Sequence, residues 1–320
     1  AISLDSTVDG AFDLTVNTTG ATTFGDAVGG TAALTSVTTN AGGTTSLGGN
    51  VTTSGDQSFN DATTLGADVV ATGTNVSFAS SLDGAQALTI NASGATTFGG
   101  VVGGTTQLTS LTTDAAGTVA INGGAVSTTG DQTFNDAATL GANTTLTADD
   151  VTFNSTVGLG ANSLDVNVTG TTGAANGVIS GTGAFTKSGA GTFTFTADNT
   201  YSGNSTISAG TLQVGANGTA GDLEGNVVNN GAMVFARSDN FEFEGDISGT
   251  GSVQQTGNGA TEAGSFDSEQ LTLSGNNTYS GGTTVDEEAE IVATNNDSFG
   301  TGGILLGGTD SGIILSTNNL

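Results

Sequence analysis

Short stretches of alternating apolar and polar residues run along the whole chain. Examples are Leu14-Thr-Val16, Val76-Ser-Phe78, Val151-Thr-Phe153 and Leu271-Thr-Leu273. A period of two places the apolar side chains on one face of a strand and the hydroxyl side chains on the other. Glycine, Asn-Gly and Gly-Gly separate the stretches, as expected at corners where the backbone needs positive φ. The pattern predicts many short β-strands joined by tight turns.

Two tandem copies of one long segment fill most of the region from Leu14 to Val168. Residues 17–24 (NTTGATTF) return as residues 91–98 (NASGATTF), and residues 54–61 (SGDQSFND) return as residues 129–136 (TGDQTFND). We call these the first copy and the second copy. A repeat of ~75 residues is typical of elongated architectures in which each repeat holds several structural units.

A second type of repeat begins near residue 178. Ile179-Ser-Gly-Thr-Gly183 returns as Ile247-Ser-Gly-Thr-Gly251 at an offset of 68, and Asn199-Thr-Tyr-Ser-Gly203 returns as Asn277-Thr-Tyr-Ser-Gly281 at an offset of 78. Ten residues are therefore inserted between the two landmarks. The insertion lies within Asn258–Gln270, carries three acidic residues and is predicted to be a solvated loop. We divide the chain into a region 1–170 with the long repeats and a region 171–320 with the second type.

A finer and regular spacing of phenylalanine predicts the fold. Phe59, Phe78 and Phe98 follow one another at nearly equal intervals, and Phe134 and Phe153 repeat the interval. A fixed period of ~20 residues without a helical pattern indicates a β-solenoid, in which every turn, or rung, adds strands to parallel sheets. At ~20–25 residues per rung, the chain gives roughly 13–16 rungs. The predicted fold class is all-β, a right-handed parallel β-helix, with the hand taken from the general rule for parallel crossovers.

Composition removes most kinds of chemistry. The 320 residues include no proline, cysteine, histidine or tryptophan, and 30 acidic residues against two basic ones give a formal charge of −28. Histidine-based catalysis, cysteine nucleophiles and His/Cys metal sites are excluded. Lys187 and Arg237 are too few to bind nucleic acid through its phosphates, and no apolar run is long enough to insert in a membrane. The absence of proline suits a solenoid, because each rung hydrogen-bonds to its neighbours through the backbone.

The second type of repeat resembles the passenger-associated repeat of bacterial autotransporters. The resemblance rests on residues 181–196 (GTGAFTKSGAGTFTFT), on the two Asn-Thr-Tyr-Ser-Gly motifs, and on residues 227–235 (VVNNGAMVF) leading into residues 243–251 (FEGDISGTG). In the second occurrence, Gln254-Gln255 stand near the position that Lys187 occupies in the first. The resemblance covers about residues 178–292, and residues 14–168 are similar, more loosely, to repeats of very large bacterial surface proteins.

The resemblance implies a β-helix exported to the surface of a Gram-negative bacterium. It does not fix a function, because passengers of this family include adhesins, proteases and stalks. We expect an extracellular structural or adhesive segment, a rigid stalk or fibre. The chain lacks the histidine that β-helical polysaccharide hydrolases need, so we do not expect an enzyme. The alternative is a passenger that binds or processes carbohydrate, which a cleft lined by facing carboxylates and aromatic residues would favour. The partners in view are host or surface glycans and other copies of the chain.

Few residues stand out as candidates for chemistry. Asp149-Asp150 is the one adjacent aspartate pair, and a solvated turn accounts for it better than glycoside hydrolysis, which needs two facing carboxylates. Asp286, Glu287 and Glu288 form the densest acidic cluster and are the candidate calcium ligands, since calcium prefers several oxygen ligands. No other cofactor is expected.

The two cations and the two tyrosines are interpreted as structural. Lys187 and Arg237 are expected to be charge partners of nearby carboxylates. Tyr201 and Tyr279 stand in matching motifs and are expected to pack in corners rather than to stack on sugars.

Both ends of the chain read as strand material without a cap. The segments are Ala1-Ile-Ser-Leu4 and the apolar residues 303–315. Exposed terminal strands pair readily with other strands. We therefore expect either that the natural chain continues in both directions or that copies stack end to end into a filament.

Overall fold

A computed structural model describes residues 1–256, 270–308 and 311–316. The described residues form strands and turns, and none of them lies in a helix that is long and apolar enough to cross a membrane. The strands pair in parallel in a β-solenoid of about 15 turns. This confirms the predicted all-β parallel solenoid. The predicted loop at Asn258–Gln270 falls almost entirely outside the described residues.

Two compact units make up the chain, Ala1–Asn162 and Ser163–Leu320, here called unit 1 and unit 2. The division expected after residue 170 refers to the type of repeat and stays a prediction. The strands of unit 1 are β1 (Ile2–Leu4), β2 (Asp13–Val16), β3 (Ala21–Phe24), β4 (Ser36–Thr39), β5 (Thr44–Leu47), β6 (Val51–Thr52), β7 (Gln57–Phe59), β8 (Ala62–Leu65), β9 (Val69–Gly73), β10 (Val76–Phe78), β11 (Leu82–Asp83), β12 (Ala87–Ala92), β13 (Ala95–Phe98), β14 (Ser110–Thr113), β15 (Thr118–Ile121), β16 (Ala125–Ser127), β17 (Gln132–Phe134), β18 (Ala137–Leu140), β19 (Thr144–Ala148), β20 (Val151–Phe153) and β21 (Val157–Gly160).

The strands of unit 1 form three sides. Side I contains β2, β4, β7, β10, β13, β15, β18 and β21 in that order. Side II contains β1, β3, β5, β8 and β11 and continues through bridges at Val102 to β16 and β19. Side III contains β6, β9, β12, β14, β17 and β20. Each strand is short because the chain soon turns a corner to reach the next side.

Equivalent residues of successive rungs stack inside the solenoid. Phe59 pairs with Phe78, and Phe78 pairs with Phe98, in parallel register. Their ring centroids lie 5.1 and 6.1 Å apart with nearly parallel planes, and all three rings are buried. Burying a phenylalanine contributes about 1.5–3 kcal/mol relative to leaving it exposed. The interval between these phenylalanines in the sequence is therefore a single turn of the solenoid.

The two copies of the long repeat use different sides of the solenoid. Strands β4 and β7 of the first copy lie on side I, whereas their counterparts β14 and β17 lie on side III. From β4 to β13 there are ten named strands, and the bridge at Val102 adds an eleventh position before β14. Eleven is not a multiple of three. The repeat therefore ends partway through a turn.

Aspartate and asparagine side chains join neighbouring rungs at the corners of unit 1. The Asp83 carboxylate accepts hydrogen bonds from the amides of Thr105 (2.7 Å) and Thr106 (3.0 Å), which lie one rung away. Asp9 accepts a corresponding pair of amides one repeat length earlier in the chain. A corner amide has no strand partner, so a short acceptor side chain satisfies it. All the acidic residues before residue 163 are aspartates, which suits this use.

Unit 2 contains the strands β22 (Leu164–Val168), β23 (Thr172–Ala175), β24 (Ile179–Gly181), β25 (Phe185–Ser188), β26 (Thr192–Phe195), β27 (Thr200–Tyr201), β28 (Ser205–Ile207), β29 (Thr211–Gly218), β30 (Val227–Asn229), β31 (Ala232–Arg237), β32 (Phe241–Phe243), β33 (Ile247–Ser248), β34 (Ser252–Gln255), β35 (Gln270–Leu273), β36 (Thr283–Val285), β37 (Glu290–Ala293), β38 (Ile304–Leu306) and β39 (Gly312–Leu315). One side runs β22-β25-β28-β30-β33 and a second runs β23-β26-β29-β31-β34-β36-β38. The remaining side is broken. It holds β24 and β27, and a separate sheet, β32-β35-β37-β39, takes that place further along the chain.

Candidate functional site

The break in unit 2 lies where β29 is followed directly by a long connection instead of by a strand. Residues 219–226 fill the position between β27 and β32, and the backbone of this segment pairs with the preceding rung at an isolated bridge, Asp198 to Asp222, rather than along a ladder. The chain leaves β29 through a bulge between Val214 and Gly218. A connection without a regular ladder must satisfy its backbone groups in another way.

The Arg237 side chain hydrogen-bonds two backbone carbonyls of this connection. Its Nη1 donates to the carbonyl of Gly221 and its Nη2 to the carbonyl of Thr219, both at 2.6 Å. The same guanidinium holds the Asp239 carboxylate through Nε (2.9 Å) and Nη2 (2.8 Å). The side chain is buried, with Cζ 4.4 Å from the centroid of the Phe241 ring. The expectation of a local charge partner is confirmed for Arg237.

A groove of about 440 Å³ opens beside this connection. Residues of two segments line it, 222–225 (Asp-Leu-Glu-Gly) and 242–245 (Glu-Phe-Glu-Gly). The groove thus carries the four carboxylates of Asp222, Glu224, Glu242 and Glu244. Burial raises the pKa of Asp222, while the amide of Leu223 and the charge of Arg237 oppose this rise. Such a lining accepts hydrogen bonds from hydroxyl or ammonium groups.

Lys187 caps a different corner of unit 2. Its ammonium donates to the carbonyls of Ser188 (2.6 Å), Gly189 (2.9 Å) and Ala209 (3.4 Å), and the side chain is fully buried. Burial lowers its pKa to about 8, and the Asp165 carboxylate opposes the change from a distance. Lys187 was expected to pair with a carboxylate. Its hydrogen bonds go to carbonyls instead, two at the end of β25 and the turn that follows it, and one, of Ala209, at the corresponding turn that follows β28 one rung away.

The repeated Asn-Thr-Tyr-Ser-Gly motif joins rungs. Asn199 accepts the amide of Ile179 one rung before and donates to the carbonyl of Asp222 one rung after, both at 2.8 Å. Asn277 makes the same two contacts with Ile247 and Ser298. The motif residues are therefore bonded within the solenoid.

The two tyrosines of the motif are fully buried. The Tyr201 hydroxyl lies 2.6 Å from Ser205 Oγ, and the Tyr279 hydroxyl lies 2.5 Å from Thr283 Oγ1. Burial raises the pKa of Tyr201, and it raises that of Tyr279 to about 12. The interpretation of both tyrosines as corner-packing residues is confirmed.

The candidate calcium ligands lie in the turn between β36 and β37. The Asp286 carboxylate accepts the Gln254 side-chain amide at 2.8 Å, and Glu288 has a positive φ of 64°. Within the described ranges, no group of three or more acidic side chains is placed to hold one metal ion. A calcium site formed by Asp286, Glu287 and Glu288 stays a prediction. Asp149, from the aspartate pair, is exposed at a corner.

Sequence reasoning missed the acidic groove. Its two lining segments are separated by one rung of chain, and only the break on that side of unit 2 opens space between them. The alternation of Asp222-Leu-Glu224 and Glu242-Phe-Glu244 is a signal, since both segments place an apolar residue between two carboxylates. The sequence does not show, however, that a strand is missing at this place.

Comparison with known proteins supports the resemblance seen in the sequence. The family model of the passenger-associated-transport-repeat matches residues 185–214 and 267–287. No curated protein and no solved structure matches the chain. The repeat and the β-solenoid together fit an autotransporter passenger. This repeat implies a secreted or surface-exposed protein.

Proposed function

We propose that the chain is a rigid stalk or adhesive fibre on the surface of a bacterium, and that it is not an enzyme. The observation that carries this proposal is the use of polar side chains inside the two units. The motif asparagines, the two tyrosines and both cations bond to neighbouring strands and turns, so the residues that the sequence singles out stabilise rungs. We expect the crossovers to be right-handed, as parallel crossovers generally are.

The length of a stalk depends on the number of its rungs, so the proposal is tested by removing rungs. Deleting residues 62–136 removes one repeat length and joins Asp61 to Ala137, which recreates the natural junction Asp136-Ala137. In the surface-displayed parent protein we expect the deleted form to fold and to bring a distal epitope closer to the cell. Distances measured by electron microscopy with a gold-labelled antibody would show this. An unchanged distance, with the variant folded, would contradict a spacer role.

End-to-end stacking of copies is a further part of the proposal. Strand β38 exposes Ile304, Leu305 and Leu306, with Leu305 62% exposed, and Leu315 of β39 is also exposed. An added strand, from a second copy or from further chain, covers such apolar residues and pairs the open edge. Sedimentation analysis at moderate salt tests it, with Leu305→Asp as the variant expected to reduce association. A strictly monomeric chain at high concentration would exclude stacking.

Carbohydrate binding is the second candidate, and the acidic groove is the observation that favours it. Its carboxylates at residues 222, 224, 242 and 244 suit the hydroxyl groups of sugars. Screening the chain against a glycan array, with Glu242→Gln and Glu244→Gln as variants, tests it. Glycan binding by the wild type that both variants lose would support this function. An array without any signal would contradict it and leave the stalk as the proposed function.

Calcium binding by Asp286, Glu287 and Glu288 is tested separately by titration calorimetry with calcium chloride. Asp286→Asn is the informative variant, because the amide keeps an oxygen that accepts the bond from Gln254. We expect folding itself to be independent of metal. A large loss of β-structure on adding a chelator would contradict that expectation.

A further inference from the structure

Each copy of the long repeat buries one aspartate at an equivalent corner. Asp61 and Asp136 are both 2% exposed. One carboxylate oxygen, Oδ1, accepts the amide of Gly43 at 2.7 Å in the first copy and that of Gly117 at 2.8 Å in the second. The residue before each aspartate, Asn60 or Asn135, also makes the same pair of bonds in its copy. The two corners therefore share one geometry.

The second carboxylate oxygen is treated differently in the two copies. In the first, Thr45 Oγ1 donates to Asp61 Oδ2 at 3.3 Å. In the second, Val119 stands at the position of Thr45 and has no donor to offer. Asp136 Oδ2 is buried and has no hydrogen-bond partner among the described residues. A buried carboxylate oxygen without a donor disfavours the charged form.

A second substitution acts in the same direction. Asp114 in the second copy stands at the position of Asn40 in the first. Each of the two side chains accepts a hydrogen bond from a backbone amide of the neighbouring rung in its own copy. The surrounding strands β14, β15, β17, β18 and β21 carry no ionisable side chain, so Asp114 in the turn after β14 is the charged group that faces Asp136. Burial raises the pKa of Asp136 and the charge of Asp114 adds to the rise, while the Gly117 amide and the Thr113 hydroxyl oppose it.

We propose that Asp136 is a proton-binding site that tightens the second copy in acid, and that the first copy lacks this response. A proton removes the charge that lies buried beside Asp114. The folded chain then binds that proton more strongly than the unfolded chain does. Stability gained in this way increases as the pH falls from neutral towards the ordinary aspartate value of 3.8 and stops increasing below it.

Exchanging the two differing positions between the copies tests the proposal. Val119→Thr places a hydroxyl beside Asp136 as in the first copy. The double variant Thr45→Val, Asn40→Asp gives Asp61 the surroundings of Asp136. Amide hydrogen exchange, followed as protection of residues 41–47 and 115–121 between pH 3.5 and 7.5, reports each corner separately. The general self-repulsion of a chain with a net charge of −28 changes little when one charge is added or removed, and comparing the two corners within each variant isolates the local effect.

In the wild type we expect the protection of residues 115–121 to rise on acidification more than that of residues 41–47. Val119→Thr should remove this excess, and the double variant should create it at residues 41–47. Asp136→Asn serves as a second variant, because it removes the titrating group and should flatten the profile at residues 115–121. Parallel profiles of the two corners in the wild type, or an excess that persists in Val119→Thr or in Asp136→Asn, would overturn the proposal.

Discussion

Both units use short acceptor side chains at their corners, for example Asp83 in unit 1 and Asn199 in unit 2, but only unit 2 adds long cationic donors. The corners of unit 1 hold backbone amides between rungs, and short acceptors such as Asp83 and Asp68 satisfy them. The corners described for Lys187 and Arg237 in unit 2 hold carbonyls, and long cationic donors satisfy those. Unit 1 contains neither lysine nor arginine.

The difference shows what an irregular rung requires. A regular corner leaves an amide within reach of a short side chain, so aspartate and asparagine serve at many places. At the break in unit 2, the carbonyls of Thr219 and Gly221 are reached by one long side chain with several donors, Arg237. Lys187 serves three carbonyls in the same way at corners where no side is broken. A single cation such as Lys187 therefore bonds carbonyls of more than one turn, whereas an aspartate such as Asp83 bonds two adjacent amides.

Arg237→Ala is expected to have the largest effect. It removes the donors to the carbonyls of Thr219 and Gly221, and a buried polar group left without its donor costs about 1–3 kcal/mol. It also leaves Asp239 without its partner, although this carboxylate is 33% exposed and adds less. Chemical denaturation should show the loss, with hydrogen exchange placing it in unit 2. Arg237→Lys should recover only part of it, because lysine lacks the forked geometry. A loss of stability equal to that of Ser238→Ala would show that the connection does not need Arg237.

Lys187→Met is expected to cost about 1–3 kcal/mol, since three partly buried carbonyls lose their donor. The effect should depend on pH. The pKa falls from 10.5 to about 8 on folding, so the unfolded chain binds more protons between these values, and wild-type stability should rise relative to the variant as the pH increases from 8. Denaturation of both proteins at pH 7 and pH 9.5 measures it. A constant difference would mean that Lys187 keeps its ordinary pKa.

Asp83→Ala is expected to cost about 1 kcal/mol, as for other side chains that cap backbone amides. Asp83→Asn should cost much less, because the amide oxygen still accepts, as Asn40 shows at another corner. Thermal denaturation of the two variants compares them. Equal losses would show that the charge of the carboxylate, rather than its oxygen, stabilises the corner.

Glu288→Gly is expected to have the smallest effect, a gain of less than about 1 kcal/mol, because Glu288 has a φ of 64°, a backbone region that glycine occupies without strain. Asn217→Gly is the matched control in unit 2, since Asn217 has a φ of 59° and asparagine tolerates this region better. The shift in melting temperature should be larger for Glu288→Gly. A loss of stability would show that the glutamate side chain contributes contacts of its own.

The fold was predictable from the sequence because its signals are local and repeated. The alternation of Val76-Ser-Phe78 and the spacing from Phe59 to Phe78 describe one strand and one turn of the solenoid. The same repetition conceals what lies between neighbouring rungs. The position of the acidic groove depends on a missing strand, and the carbonyls around Lys187 depend on how a turn closes. Asp136 Oδ2 lacks a hydrogen-bond donor because Val119 stands where the first copy has a threonine. Val119 belongs to the preceding rung and looks in the sequence like any other core position.

The eleven-position length of the long repeat has a consequence for how such a protein meets its surroundings. Because the segment ends partway through a turn, the second copy presents the same surface towards a different direction from the first. A binding partner on one side of the solenoid therefore contacts that surface in one of the two copies and not in the other. Duplication adds length without building a uniform stripe along one flank, the kind of stripe through which neighbouring fibres adhere to each other. For the fibre proposed above, this arrangement predicts that added segments of this length do not promote side-by-side association.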